Sequence, residues 1–347
     1  MGGKNISAPA YTITEKAADY LAKIVEAATR LEYGTNFKLN IKLHRENRLR
    51  TIYSSLAIEG NSLSLDEVTD VIAGKWVAGT QTDIKEAKNA FAAYEHIMTF
   101  NPFVIRDFLK AHALMTHGLI KESGKFRSGD VGVFDNGKVI HLGARPRFVP
   151  QLMEELFGWA GASQLHPVLK SAILHYEIET IHPFADGNGR MGRLWQTLVV
   201  SKWNELFKYI PMETVLFENR PGYYRAIEES RKKNDSAAFI EFTLSALSKM
   251  TEHQLKHQDK HQAEHQDKHQ DKHQVEWSDT QLLVLKNLEK KALSRKEIFA
   301  AIQKNNDSRA FKRIMEPLLT GGRVEMTVPE KPNSRYQKYR LAIKKGV

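Results

Sequence analysis

The sequence predicts a mainly α-helical protein with one β-hairpin in its core and another near its C-terminus. Apolar residues recur at helical spacing in residues 167–181 and again from Met191 to Trp203. An Asn-Gly pair separates two short apolar segments within residues 131–142, which is a strong signal for a hairpin. From residue 276 onward, helical patterns are followed by two strand-like segments around a Pro-rich turn, which predicts a winged helix-turn-helix domain.

Changes in composition along the chain predict four segments. We expect an N-terminal helical region (1–100), a helical core (101–250), a linker (251–275) and the winged-helix domain (276–347). The linker repeats a His-Gln-Asp-Lys tetrapeptide, and such low complexity cannot build a packed core. A charged linker is the favoured interpretation, and binding of a transition metal by histidines four residues apart is the alternative.

Composition excludes several classes of protein. The chain has no cysteine, so disulfide frameworks and thiolate catalysis are excluded. Its 41% hydrophobic content is typical of a folded protein. No run of about 18 apolar residues occurs, and the N-terminus lacks an apolar signal core, so we expect a soluble, cytoplasmic protein without a membrane partner.

The net charge of +10 is concentrated near the C-terminus, where residues 276–347 carry 16 Lys and Arg against 8 Asp and Glu. The helix predicted at Ser308–Thr320 is the candidate recognition helix, and Ser294 and Ser308 are candidate N-caps. Its basic surface suits DNA phosphates, whereas protein contact or homodimer formation stays open as the alternative. The basic residues are Arg309, Lys312 and Arg313 on the helix, with Lys331, Arg335, Lys338 and Arg340 on the wing.

The segment from Ile181 to Trp195 holds a dense group of chemically active residues. The preceding helix should end near His182, because Pro183 disfavours helical geometry in the residue before it. Residues 186–189 are typical of a turn, and a second helical pattern begins at Arg190. The tight glycine-containing loop therefore leads into a helix N-terminus, where free N–H groups attract anions.

The run His182-Pro-Phe-Ala-Asp-Gly-Asn-Gly-Arg-Met-Gly-Arg193 resembles the complete signature of the Fic family, H-x-F-x-(D/E)-G-N-G-R-x-x-R. The resemblance covers roughly residues 40–245. It implies a helical Fic core that transfers AMP from ATP to a Tyr, Ser or Thr hydroxyl of a target protein or of itself. It also implies that His182 is the general base and that Asp186 binds Mg²⁺. A histidine suits the first role because it titrates near neutrality.

The same resemblance assigns the phosphate and nucleotide contacts. It implies that Asn188 and the loop backbone form an anion hole, that Arg190 supports the phosphates, and that Arg193 reaches the γ-phosphate. A second, looser match at residues 221–227 implies that Tyr224 lines the adenine pocket, with one of the two adjacent tyrosines in the core. The expected ATP-binding residues are Gly187, Asn188, Gly189, Arg190, Met191, Gly192, Arg193 and Tyr224.

An upstream motif, Ser55-x-x-x-Glu59-Gly60, is similar to the inhibitory motif of the family, (S/T)-x-x-x-E-(G/N). It follows a helix predicted at Leu39–Ala57. The resemblance implies that Glu59 binds Arg193 and prevents productive binding of the γ-phosphate. A solvated glutamate at a helix end is the simpler alternative for this short pattern.

The predicted core hairpin follows Gly124-Lys-Phe-Arg127, which resembles the G-x-(F/Y)-R sequence before the flap of the family. The resemblance implies that the flap pairs with the target backbone by strand addition. A plain surface hairpin is the alternative. The expected flap residues are Val139, Ile140, His141 and Leu142.

Three functions are therefore open. The first is an AMP transferase restrained by Glu59, and the second is removal of AMP from a target with Glu59 positioning water. The third is a DNA-binding regulator whose core only senses nucleotide. The presence of both His182 and Asp186 argues against the third as the sole function.

Overall fold

The computed structural model describes residues 8–33, 40–135, 138–271, 277–332, 334 and 336–342. It describes the backbone alone for the strand residues within 133–142 and for 257–271. The chain divides into two compact units, residues 1–263 and 264–347. The predicted boundary between residues 100 and 101 is not a division in this structure, because the helices on both sides pack into one core.

The first unit is built from helices with one two-stranded hairpin. Within the described part of the chain, no helix is both long enough and apolar enough to cross a membrane. Its elements are α1 (Glu15–Tyr33), α2 (Ile41–Ile58), α3 (Leu65–Ile72), α4 (Gln81–Glu95), α5 (Ile105–Met115), β1 (Gly132–Asp135), β2 (Lys138–Leu142), α6 (Val149–Ala162), α7 (Pro167–Ile181), α8 (Asn188–Trp203), α9 (Met212–Glu218), α10 (Arg220–Lys233) and α11 (Ala237–Asp271).

Helices α7 and α8 form the centre of the unit and pack closely against each other. Residues on nearly every side of both helices are buried, as expected when a helix is surrounded by others. Trp195 on α8 is fully buried among Phe108 and Phe157, and its indole N–H donates to the carbonyl of Pro102 at 2.9 Å. The loop joining α7 to α8 is therefore held on a rigid, well-packed pair of helices.

The upstream helix α2 agrees closely with its prediction. Asn40 caps its N-terminus by accepting a hydrogen bond from the N–H of Leu43 at 2.9 Å. The helix ends at Ile58, and Gly60 follows with a φ of +92°, a left-handed conformation that favours glycine. Helix α2 packs against α9 and also contacts α8, which brings its C-terminal end to the central loop.

The core hairpin is present as an antiparallel pair of strands. Gly132 pairs with Leu142 and Asp135 pairs with Lys138, with a bulge between Val133 and Phe134. The predicted turn at Asn136-Gly137 lies outside the described residues. The strand β2 contains all four expected flap residues.

The predicted linker begins as part of the folded core. Helix α11 continues without interruption from Ala237 to Asp271, and Thr251, Gln254 and Leu255 are buried. The domain boundary expected at residue 250 therefore differs from the structure, because these residues continue the buried face of the helix past that point. Of the repeat histidines, His273 lies outside the described residues.

The second unit has its own apolar core, which includes Phe299, Ile314 and Leu318. A third strand, β3, was not predicted from the sequence, because it is only two residues long. Ser294 caps its helix as expected, but Asp307, not Ser308, caps the recognition helix by accepting from the N–H of Ala310 at 2.7 Å. The elements are α12 (Asp279–Leu288), β3 (Leu293–Ser294), α13 (Arg295–Ala301), α14 (Ser308–Thr320), β4 (Val324–Met326) and β5 (Lys338–Leu341), with sheet order β3-β5-β4.

Candidate active site

His182 lies immediately after α7 in a left-handed conformation, with φ 54° and ψ 62°. Its N–H donates to the carbonyl of Ile178 at 2.9 Å and so ends the helix. A non-glycine residue in this region is uncommon and marks a site that the surrounding contacts hold in place. The helix ends at Ile181, directly before His182, as the proline at residue 183 predicts, and the left-handed residue then directs the chain into the loop.

The side chain of Asn188 closes the loop. Its amide accepts from the N–H of Phe184 and donates to the carbonyl of the same residue, both at 2.9 Å. These two bonds use the amide oxygen and one of the two amide N–H donors, and the anion contact expected of Asn188 stays a prediction. Gly187 precedes it with a φ of +85°, and a side chain there would also crowd Thr116.

The first turn of α8 presents backbone N–H groups that have no partner within the helix. Gly189 lies in this turn, and the space that a Cβ atom would fill there is taken by the carboxylate of Glu59. Two of the expected ATP-binding residues also make contacts away from the loop. Met191 is fully buried in the core, and Gly192 makes room for the ring of His175, which would lie 2.5 Å from an added Cβ.

Arg193 is fully buried and connects α8 to the end of α2. Its Nη2 donates to the Glu59 carboxylate at 2.7 Å and to the Ser55 carbonyl at 2.9 Å, and its Nε donates to the Ser55 hydroxyl at 3.1 Å. The Ser55 carbonyl is one of the last in α2, where a cation is favourable. Burial opposes the charge of Arg193, but the nearby charge of Glu59 raises its pKa above the ordinary value.

One donor of Arg193 is left over. Its Nη1 is buried and has no hydrogen-bond acceptor among the residues that the structure describes. It lies 3.1 Å from the position of a Cβ atom on Gly189, directly beside the first turn of α8. A buried, unsatisfied cationic donor is costly, so its position beside free N–H groups indicates a place for an anion.

The second arginine of the loop, Arg190, has a different environment. Its Nη2 donates to Asp186 at 2.8 Å and its Nη1 donates to Glu86 on α4 at 2.9 Å. Arg190 is almost fully buried, so it braces the loop against α4. Sequence reasoning missed Glu86, because nothing in the sequence relates α4 to this loop.

Asp186 is the expected metal ligand. Its side chain is 54% exposed, and only its Oδ2 is engaged with Arg190 among the described contacts. Within the described ranges, no group of three or more His, Asp or Glu side chains is placed to hold a metal ion. A single accessible carboxylate still fits Mg²⁺, which commonly binds through one carboxylate together with substrate phosphates and water.

A buried network of hydrogen-bonded side chains lies close to Arg193. The hydroxyl of Tyr223 donates to Glu179 at 3.1 Å and lies 3.0 Å from Nε2 of His175, whose other nitrogen is 2.7 Å from the amide of Gln196. Burial acts to raise the pKa of Glu179, but the hydrogen bond and charge of His175, together with Arg193, lower it to about 2. Glu179 is thus a second carboxylate near the buried guanidinium.

The two adjacent tyrosines separate as expected, one in the core and one at the surface. Tyr223 is buried, whereas Tyr224 is 43% exposed. The hydroxyl of Tyr224 donates to the Ile58 carbonyl at 3.4 Å, at the end of α2, and Arg220 lies over its ring. Burial and the charge of Glu59 raise the pKa of Tyr224. Its ring therefore lies near the inhibitory motif, at an edge of the candidate site.

Two residues that bind the loop backbone were not identified as site residues from the sequence. His112 on α5 stacks on Phe184, accepts from the N–H of Gly124 at 3.0 Å, and lies 3.0 Å from the Asp186 carbonyl. Since Nδ1 accepts, Nε2 must carry the proton that is donated to Asp186. Arg127 holds the carbonyl of His182 at 2.7 Å. In the sequence, His112 is an isolated histidine, and Arg127 is the last residue of the short motif at 124–127. Neither pattern indicates a contact with the loop.

The neutral state of His112 predicts a pH dependence. Burial, aided by the charge of Arg190, lowers its pKa from 6.5 to about 4. Below pH 6.5 His112 is protonated in the unfolded chain, whereas in the folded chain it is protonated only below about pH 4. The free energy of unfolding should therefore fall as the pH falls through this window.

The same measurement on His112→Gln separates the contribution of His112 from the contributions of the carboxylates. The stability advantage of the wild type over the variant should shrink by up to about 3 kcal/mol. Urea unfolding of both proteins across this range measures it, and parallel pH profiles would contradict the assignment.

The comparisons with known proteins agree with this geometry. Residues 102–200 match the Fic/DOC family, and residues 280–342 match the C-terminal domain of Fic-like proteins, described as filamentation induced by cAMP protein. The protein adenylyltransferase Fic of Culex quinquefasciatus is 29% identical over 212 residues, which is 58% of this chain and 40% of that protein. The protein of the same name from Nematostella vectensis is 27% identical over 210 residues, or 57% of this chain and 46% of that protein. The chain thus spans less than half the length of these two curated relatives.

Solved structures extend the likeness to both units. Fic-1 of Caenorhabditis elegans (residues 134–508) shares the fold, with a TM-score of 0.61 at 20% identity over 70% of this chain and 73% of that one. A Fic family protein from Desulfovibrio desulfuricans G20 is 38% identical, with a TM-score of 0.71 over 98% of this chain and 100% of that one. At this identity and coverage, the chain belongs to the Fic family.

Proposed function

We propose that the protein transfers AMP from ATP to a hydroxyl side chain of a target protein or of itself. The observation that carries the proposal is the unpaired Nη1 of Arg193 beside Gly189. Together with the free N–H groups of α8, it forms a cradle for a polyphosphate at a helix N-terminus. Relatives named protein adenylyltransferase Fic support AMP as the transferred group.

The proposed reaction is a nucleotidyl transfer. His182 accepts the proton of the target hydroxyl, whose oxygen attacks the α-phosphorus of ATP. The bond from that phosphorus to the bridging oxygen breaks, and pyrophosphate leaves with its electron pair. Asp186 would hold Mg²⁺, which would supply charge neutralisation at the phosphates. Arg193 and the first turn of α8 would hold the phosphate chain in line.

Glu59 supports the second part of the proposal, which is restraint of the activity. Its carboxylate pairs with Nη2 of Arg193 and fills the space above Gly189. A phosphate at this position would meet a negative charge and would have to compete for the same guanidinium. In the proposed function this contact restrains ATP binding, and activity requires that Glu59 move away.

Removal of Glu59 should raise AMP transfer. Glu59→Gly frees Arg193 for a charge-assisted phosphate contact worth about 1.5–3 kcal/mol, so the initial rate should rise roughly tenfold to a hundredfold. Arg193→Ala should abolish that gain in the double variant, since both residues act on one contact. The measurement is the initial rate of label transfer from radiolabelled ATP for wild type, both single variants and the double variant.

Two outcomes would contradict this restraint. Equal rates for wild type and Glu59→Gly would mean that the motif is only a helix end. A double variant as fast as Glu59→Gly would mean that Arg193 is not the inhibited group. Glu86→Gln is the control and should not raise the rate. It also removes a carboxylate charge next to a loop arginine, but that arginine is Arg190 and not Arg193.

Replacement of His182 by Ala should abolish transfer and leave ATP affinity largely unchanged. The physical reason is that His182 precedes the first turn of α8 in the chain, and its Nδ1 lies 3.4 Å from the Glu179 carbonyl on α7. ATP affinity by calorimetry and label transfer are measured on the same preparation in the Glu59→Gly background. Retained transfer in the His182→Ala, Glu59→Gly variant would rule out His182 as the general base.

Removal of AMP from a modified target is a second candidate. It is favoured by the 35% exposure of the Glu59 side chain, which allows its free oxygen to orient a water molecule beside the cradle. In that case Glu59→Gly would abolish loss of AMP from a labelled target, while wild type would release AMP and restore the hydroxyl. Incubation of labelled target with fresh enzyme separates the two activities.

The second unit carries a surface suited to DNA. Arg309, Lys312 and Arg313 are all exposed on α14. Two other basic residues already have structural roles, since Arg295 binds Asn306 and stacks on Phe311, and Arg340 pairs with Glu325. Of the other wing residues, Lys331 and Lys338 are exposed, and Arg335 lies outside the described residues. The candidate DNA-binding surface is therefore the exposed face of α14 together with Lys331 and Lys338.

Binding to duplex DNA should weaken steeply with salt. For the full chain, replacement of Lys312 and Arg313 together by Ala should reduce the slope of log affinity against log salt by about 2. Lys286→Ala, on the exposed face of α12, is the control and should leave the slope unchanged. Absence of binding at low salt would favour a protein partner for this unit.

A further inference from the structure

Arg127 is a buried cation that no part of the proposed chemistry uses. It is only 3% exposed, and it lies between α5 and the first strand of the hairpin. Burial lowers its pKa, although the charge of Asp130 partly offsets this. Such a residue is costly to bury unless its donors are well matched.

Its donors are matched by three backbone carbonyls. Nε donates to His182 at 2.7 Å, Nη1 donates to Gly129 at 2.7 Å, and Nη2 donates to Ala144. Gly129 lies just before β1 and Ala144 just after β2, so the guanidinium joins both ends of the hairpin to the candidate base. The planar fork of arginine can span these acceptors, which the single ammonium of lysine cannot do.

Two backbone hydrogen bonds also connect the base of the hairpin to the residues around His182. The N–H of Arg127 donates to Pro183 at 3.0 Å, and the N–H of Ala144 donates to Ile181 at 3.3 Å. A Cβ atom on Gly143 would lie 2.8 Å from Nη2 of Arg127 and 3.2 Å from the Cβ of His182. The base of the hairpin is therefore bound to the residues around His182, and a side chain at residue 143 would displace the Arg127 guanidinium.

We infer that Arg127 is a positioning residue that fixes the hairpin and His182 to one another, so that a target segment paired with β2 meets the general base at a set distance. The inference rests on the proposed function for its catalytic consequence, but not for the physical link itself. A misplacement of reacting groups by about 1 Å can cost roughly a hundredfold in rate. Loss of the link should therefore slow transfer without weakening ATP binding.

The test compares Arg127→Lys with Arg145→Lys in the full chain. The substitution is the same, but Arg145 is exposed and lies next to the base of the hairpin. Hydrogen–deuterium exchange should show that Arg127→Lys loosens residues 138–144 and 182–186 together and leaves α7 protected. In the Glu59→Gly background, kcat for target modification should fall by about tenfold or more, with ATP affinity within about twofold.

Several results would overturn the link. Unchanged exchange, loosening of only one of the two segments, or loss of protection throughout α7 would each show that Arg127 does not couple them specifically. If Glu59→Gly transfers no AMP at all, the proposed function fails, while the exchange measurement still decides the link. Unchanged kcat despite joint loosening would overturn the catalytic consequence.

Discussion

The buried ion pair between Arg193 and Glu59 is the interaction on which the arrangement of the site depends. A guanidinium buried on α8 requires a negative partner, and the end of α2 supplies a carboxylate together with the carbonyl and hydroxyl of Ser55. The pair thus fastens α2 to the first turn of α8 and fills the space beside Gly189. A polyphosphate could replace the carboxylate, because it also presents negatively charged oxygens to the same donor. Under the proposed function, one contact would both hold α2 to the site and restrain ATP binding.

The loop itself is shaped mainly by side chains that bind backbone atoms. Asn188 closes it from within, His112 holds the Asp186 carbonyl, and Arg127 holds the His182 carbonyl. Side chains of the expected site residues also take part, since Arg190 pairs with Asp186 and Glu86 and Arg193 binds Ser55 and Glu59. The backbone contacts explain how His182 is held in a left-handed conformation, since its N–H and its carbonyl are both bound.

The sequence predicted the central features because their signals are local. Helix α7 begins at a proline and ends before His182-Pro183, and Gly60 ends the segment after α2, so both ends follow from residue types alone. The roles of Asn188, Met191 and Gly192 were not predictable, because they depend on neighbours that are distant in sequence or on the inward face of α8. His112 and Glu86 were missed for the same reason. Each contacts a loop residue that is distant in sequence, 74 residues away for His112 and 104 residues away for Glu86. The strand β3 is too short to give an alternation signal.

The glycines of the loop show how one residue type serves separate physical needs. Gly187 has the left-handed backbone that the turn requires, whereas Gly192 gives space to the His175 ring. Gly189 meets neither of these needs. Its missing side chain leaves room for whatever anion lies on the first turn of α8, and here that anion is the carboxylate of Glu59. A site built to bring phosphate oxygens close to a backbone also admits a carboxylate, because both are oxygen anions that accept from the same donors. Under the proposed function, restraint by Glu59 is thus a direct consequence of the geometry that would bind the phosphate chain.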